Sequence, residues 1–242
     1  MATVGYPKLT PESPHDMVTG MTSFFAGEKE AAWKSFERLA AVGDPDAEIM
    51  LGTILIHGPG VMRTSPHYRK LNPNPGPWDT QDIDAGLGWY QKAAARGCIF
   101  ALLMLGDTYI KHPYVSRNYK EAFKWYMKAA ELGDAAGQRT VGVMLRKGQG
   151  TQKDGQAAAV WLHRAVMQGD TDAMHNLGGM YAKGEGVPYC PMEAGVLLHL
   201  AVRGGCRAAQ GKYVELLMDI KDKPATFEGR TPSRTVLLQD SF

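Results

Sequence analysis

Apolar residues recur along this chain at the spacing of a helix face, and they recur in copies. Between Ala173 and Tyr181 the large ones fall at Met174, Leu177, Met180 and Tyr181, which gathers them on one side of a helix. Gly184 and Gly186 interrupt that run, and a second apolar pattern extends from about residue 190 to Gly205. The two-part pattern then repeats. Trp89-Tyr90, Trp125-Tyr126 and Trp161-Leu162 are 36 residues apart, and the fourth copy has Leu197-Leu198 at that place. Gly97, Gly133, Gly169 and Gly205 keep the same step, as do Leu105-Gly106, Val141-Gly142 and Leu177-Gly178. An earlier copy is marked by Gly43 and Leu51-Gly52, with Trp33 close to the tryptophan place; its glycines lie 54 residues before those of the next copy, 18 more than the period. The extra residues fall in 57–82, a stretch with five prolines.

Each copy predicts a helical hairpin. Asp82, Asn118 and Asp154 open the second helices and are the residue types that accept hydrogen bonds from free first-turn amides. Glu121 and Glu193, three residues further on, suit a capping box. Glycine after each second helix suits the left-handed conformation that ends helices. Neither helix can bury its apolar stripe alone, so successive hairpins must stack. The expected fold is all-α: a right-handed α/α superhelix of about four and a half hairpins with a 36-residue period. Residues 1–23 are expected to be extended, 24–220 to form the solenoid with an insertion loop at about 58–82, and 221–242 to be a polar tail. The last helix, Arg207 to about Ile220, is half a repeat and can cap the stack. Beyond it the tail stays polar until Val236-Leu237-Leu238.

Read together, residues 173–205 and 118–133 follow the pattern A-x3-LG-x2-Y-x2-G-x-GV-x3-D-x3-A-x2-WY-x-KAA-x-G, with Leu177, Gly178, Tyr181, Gly184, Gly186 and Val187 in place. This pattern resembles the Sel-one-like repeat family, relatives of the tetratricopeptide repeats, over roughly residues 31–220. The resemblance implies an adaptor or scaffold that binds a protein partner. Some bacterial members instead serve as immunity proteins that neutralise a cognate toxin, often a phospholipase effector, and this is the alternative expectation. Other relatives are secreted, carry a cysteine pair in nearly every repeat and are associated with penicillin-like compounds. Here Cys98 and Cys206 occupy equivalent places without such partners, which speaks against that reading.

Composition narrows the classes further. The 27 basic and 25 acidic side chains leave a net charge of +2, little support for bulk nucleic-acid or anionic-membrane binding. No apolar run approaches a membrane span, and no basic-then-apolar leader opens the chain. Three cysteines without a CxxC pair suit a reducing compartment, so a cytoplasmic protein is expected, as a monomer or weak dimer. No nucleophile–base, metal-ligand or phosphate-loop motif is visible, and so no catalytic residue, metal or cofactor is expected and a hydrolase is the least favoured class. His163 and His199 sit at equivalent surface positions. Cys190 stands where other copies have Asp or Asn, before Pro191, at the positive end of a helix dipole that favours thiolate.

In tetratricopeptide-like solenoids the first helices line the concave face, and their fourth, seventh and eleventh positions face the groove. These are Met50, Thr53 and His57, then Met104, Asp107 and Lys111, then Thr140, Val143 and Lys147, then Asn176, Gly179 and Lys183. The column His57-Lys111-Lys147-Lys183 forms a basic ladder suited to an acidic peptide. The insertion adds Tyr68, Arg69 and Trp78, residue types that often become binding hot spots.

Overall fold

A computed structural model of the protein describes residues 13–26, 28–57, 82–113 and 115–222. Among these residues there are eleven helices and no strand: α1 (Ser13–Ala26), α2 (Lys29–Ala41), α3 (Pro45–His57), α4 (Ile83–Ala95), α5 (Ile99–Lys111), α6 (Tyr119–Glu131), α7 (Ala135–Lys147), α8 (Gly155–Met167), α9 (Thr171–Lys183), α10 (Pro191–Arg203) and α11 (Arg207–Asp222). The chain divides after Lys153 into two compact units, the first holding α1–α7 and the second α8–α11. The all-α hairpin fold expected from the repeat is therefore the observed one.

The capping residues act as their chemistry dictates. Asp82 accepts from the Ala85 amide at 2.9 Å, Asn118 from Glu121 at 3.1 Å and Asp154 from Ala157 at 2.9 Å. The first helices have caps of their own at Asp134 and Asp170, accepting from Gly137 at 2.7 Å and Ala173 at 2.8 Å. The capping box does not form at Asn118. Its backbone amide donates to the Tyr109 carbonyl at 2.9 Å, so Glu121 has no amide to reach and pairs with Lys124 at 2.6 Å instead. The Asp82 and Cys190 amides make the same return bond, to Leu55 at 3.1 Å and Tyr181 at 3.0 Å. This bond fixes the second helix against the end of the first. After each second helix Gly97, Gly133, Gly169 and Gly205 take φ values of 82, 92, 85 and 90°, the left-handed region open to glycine.

Within the first unit α3 is buried on two sides. Ala47, Leu51, Ile54 and Leu55 join Trp33, Phe36 and Leu39 of α2, while Ile49 and Ile56 join Leu87 and Tyr90 of α4. In the second unit Ala194, Leu198 and Ala201 of α10 meet Ala209 and Leu216 of α11, with Met174 and Tyr181 of α9 against them. The tryptophans of the first and second copies are half-buried and carry a cation one turn on: Lys92 lies 3.7 Å over Trp89 and Lys128 4.3 Å over Trp125. Arg164 does the same at 4.5 Å over Trp161 in the second unit. The Trp-x-x-Lys spacing of the repeat thus joins an apolar anchor to a cation–π contact.

Residues 13–23 are helical and not extended. Pro14 is tolerated because it lies in the first turn, where its missing amide has no intrahelical partner to lose. Met17 and Met21 then pack on the α2–α3 core, and burial decides the conformation. A Cβ on Gly20 would lie 2.7 Å from the Phe36 ring, the same glycine-under-ring contact that Gly52 makes with Tyr90. Helix α1 is therefore the first helix of a further, divergent hairpin. The expected insertion loop and most of the polar tail lie outside the described residues.

Candidate functional site

Helix α5 holds Met104, Asp107 and Lys111 on successive turns, but the three have different surroundings. Met104 packs on the core beside Leu105 and Tyr90. Asp107 accepts a hydrogen bond from the Tyr126 hydroxyl of α6, and the same carboxylate oxygen lies 2.8 Å from Lys111 Nζ. Burial, and then the bond to Asp107, push the Tyr126 phenol well above the ordinary tyrosine range. One copy earlier the Tyr90 hydroxyl lies 3.0 Å from Thr53 Oγ1, and burial raises that phenol too. Asp107 is thus first a lock within its hairpin, with one edge of its carboxylate left exposed.

On α7 and α9 the fourth-position side chains turn to their own helices. Thr140 Oγ1 donates to the Ala136 carbonyl at 2.7 Å, and Asn176 Nδ2 to the Asp172 carbonyl at 2.7 Å. Val143 is half-buried. The eleventh position is different. Lys111, Lys147 and Lys183 are all exposed, and each is the last residue of its helix, where the carbonyl end of the dipole favours a cation. Among the described residues Lys147 and Lys183 make no hydrogen bond or ion pair. His57, their counterpart in the first copy, instead lies 5.6 Å from His112 between ring centroids, and burial followed by that neighbour lowers its pKa. Tyr68, Arg69 and Trp78 lie outside the described residues.

The structure adds groups that the repeat pattern did not single out. Glu48, only 1% exposed, pairs through Oε1 with Arg96 Nε at 3.4 Å, while its Oε2 has no hydrogen-bond partner. Burial raises its pKa, against the lowering effect of Arg96. The signal was available: Glu48 is the one charge in a column that reads Leu102, Gln138 and Met174 in later copies. A shallow cleft of about 460 Å³ lies along α6, lined by Glu121, Phe123, Lys124, Trp125, Met127 and Lys128. In the second unit Lys212 of α11 reaches across Gly179 to His175 Nε2 at 3.1 Å, which fills the seventh position of α9 with a neighbour's side chain.

Cys98 and Cys190 are half-buried and Cys206 is buried, all three as free thiols. Cys206 Sγ lies 3.3 Å from Asp172 Oδ1, while Cys98 and Cys190 stand at helix N-caps without a side-chain capping bond. Among the described residues no three His, Cys, Asp or Glu side chains are grouped to hold a metal ion, and no helix is long and apolar enough to cross a membrane.

Helical hairpins repeating every 36 residues, with a lysine ending successive first helices, define a tandem-repeat protein of the tetratricopeptide-like class. More narrowly, the chain belongs to the Sel1 repeat family, whose profile matches residues 76–98, 99–134, 135–170 and 171–206, more than half of its length. It is similar to a Sel1 repeat protein from Oxalobacter formigenes, at 29% identity over 82% of this chain and 74% of that one, with a TM-score of 0.64. It shares its fold with c5321, a protective antigen of uropathogenic Escherichia coli strains, at 24% identity and a TM-score of 0.56. That match covers 88% of this chain and half of the antigen. A search of curated proteins found no match. Sel1 repeat proteins are generally scaffolds for protein interaction.

Proposed function

We propose that this protein is a non-enzymatic adaptor that binds an acidic segment of a protein partner at the ends of first helices α5 and α7 of its first unit. One observation carries the reading: the same register presents an exposed lysine on α5 and α7, and again on α9 of the second unit, and among the described residues Lys147 and Lys183 make no hydrogen bond or ion pair. A solvated lysine gains little from its own fold beyond the dipole, so its charge is available to a ligand. Asp107 sets the polarity at α5 by holding Lys111 in place.

The test is fluorescence polarisation with labelled ten-residue peptides of acidic, neutral and basic composition. Acidic peptides should bind best, and Lys111→Ala, Lys147→Ala and Lys183→Ala combined should weaken them at least tenfold at low salt. The difference should narrow as salt screens the charges. Equal binding of basic peptides, or an unaffected triple variant, would overturn the assignment.

A further inference from the structure

Helix α10 is apolar on two sides. Ala194, Leu197, Leu198 and Ala201 are buried, the ordinary stripe of a helix in this fold. Met192, Val196 and Leu200 form a second stripe at steps of four, and these are exposed, at 60%, 56% and 42%. The repeat itself does not require that stripe. The same register holds Lys120, Lys124 and Lys128 on α6, all exposed, and Gln156, Val160 and Arg164 on α8. A row of solvated lysines in one copy is thus a continuous apolar row in another, the mark of a surface that meets something other than water.

We infer that this row is an interface between two copies of the chain, with α10 of one copy lying antiparallel against α10 of the other. Two observations select a second copy as the occupant. The row is symmetric about Val196, with one long apolar side chain four residues to each side, so a two-fold axis near Val196 sets it against its own copy. Rows at steps of four are also the ridges along which helices most often pack. The charges then suit an antiparallel pair. Glu193 stands near the start of α10, and Arg203 ends it, with His199 one turn earlier. Because α8 runs with α10 while α9 and α11 run against it, the described charges of the second unit sort to the two ends. The start has Asp154, Glu185, Asp219 and Asp222 against Lys183 and Lys221. The end has Arg164 and Arg207 against Asp170 and Asp172, and Lys212 and Glu215 lie midway along α11. With Glu193 and Arg203 included, the start is acidic and the end basic. Antiparallel pairing therefore joins opposite charges at both ends, whereas parallel pairing would join like ones. A contact through one helix per copy is smaller than a standard interface, so the pair is weak.

Sedimentation equilibrium of the full chain tests this. From about 5 to 500 μM the average mass should rise from one chain toward two. Val196→Lys, which copies Lys124 of α6, should raise the concentration needed at least tenfold, while circular dichroism remains that of the parent. Glu193→Arg alone should also weaken the pair. Adding Arg203→Glu should restore it, because an antiparallel pair then meets opposite charges again. A single-chain mass throughout would overturn the inference, as would association that Val196→Lys leaves unchanged. So would a double variant that keeps its helical spectrum and pairs no better than Glu193→Arg.

Discussion

Replacing single glycines by alanine should separate two kinds of helix contact that look alike in sequence. Gly106 and Gly178 hold the same repeat position, but a Cβ on Gly106 would lie 2.6, 2.7 and 2.8 Å from three atoms of the Tyr126 ring. That ring cannot retreat, because it is buried and its hydroxyl is held by Asp107. Overpacking a fixed site costs roughly 1–3 kcal/mol, and replacing a helical glycine returns about 1 kcal/mol. Gly106→Ala should therefore destabilise by up to about 2 kcal/mol, the upper end applying because the ring is fixed. On Gly178 the nearest atom is Leu198 Cγ at 3.0 Å, with the next two at 3.3 Å, so a shift of a few tenths of an ångström suffices. There the helix-propensity gain offsets the strain, and Gly178→Ala should lie within about 0.5 kcal/mol of the parent. Urea unfolding followed by circular dichroism gives the totals. Hydrogen exchange of the α5 and α6 amides shows whether the loss is local, since repeat arrays can open in parts. Tyr126→Leu copies the residue found at Leu198, so a double-mutant cycle with Gly106→Ala should show favourable coupling of about 1 kcal/mol. The reasoning fails if Gly178→Ala costs as much as Gly106→Ala, or if that coupling is absent.

The Asp107–Tyr126 bond should be asymmetric: Asp107→Ala strands a buried phenol and should cost about 1–3 kcal/mol in urea unfolding, whereas Tyr126→Phe leaves a half-exposed carboxylate that Lys111 and water can satisfy and should cost about 1 kcal/mol or less. Cys190 has N-cap dihedrals of −144° and 89°, close to those of Asp154 at −140° and 101°, so Cys190→Asp should gain about 1 kcal/mol by accepting the free first-turn amide. For Glu48 the folded pKa lies above the unfolded one, so the folded state holds the extra proton between them, and stability should fall as pH rises through that window from about 4.5. Thermal unfolding from pH 4 to 7 should show this decline in the parent and a flatter profile in Glu48→Gln; a parallel profile would exclude Glu48 as its source.

The hairpins were legible because period, caps and closing glycines all point to the same backbone. What escaped did so for identifiable reasons. Helix α1 has Pro14 in its first turn, follows Pro11 in the sequence and has no Leu-Gly pair, so local composition reads as extended. Its helix depends on Met17 and Met21 reaching a core that only the folded chain provides. Gly20, which lies under Phe36, was its one repeat signature. The capping box failed at Asn118 because the amide it needs is taken by Tyr109, a bond between helices that sequence spacing within one helix cannot register. Of the groove residues, the lysines could be placed as exposed from position alone. The inward turn of Thr140 and Asn176 could not, because it depends on which side-chain rotamer bonds the carbonyl one turn back.

Variation between copies invites a reading as partner specificity, and here part of it has a nearer cause. The seventh position changes from Thr53 to Asp107 to Val143 to Gly179, as freely as a recognition surface would. Yet Thr53 and Asp107 each face a buried tyrosine hydroxyl that needs a polar neighbour, and Gly179 lies beneath the Lys212 side chain. Three of those four choices follow from packing inside the protein. The eleventh position behaves in the opposite way: it keeps lysine on α5, α7 and α9 although no hydrogen bond or ion pair among the described residues holds two of them. On α11 the same register holds Asp219, a charge of the opposite sign. A charge repeated without an internal partner, and reversed at the last helix, is the pattern expected of a surface that meets an anionic ligand. Within the second unit Asp219→Lys should add a cation in the register of Lys183 and tighten binding of acidic peptides there, and unchanged binding would count against the charge reading.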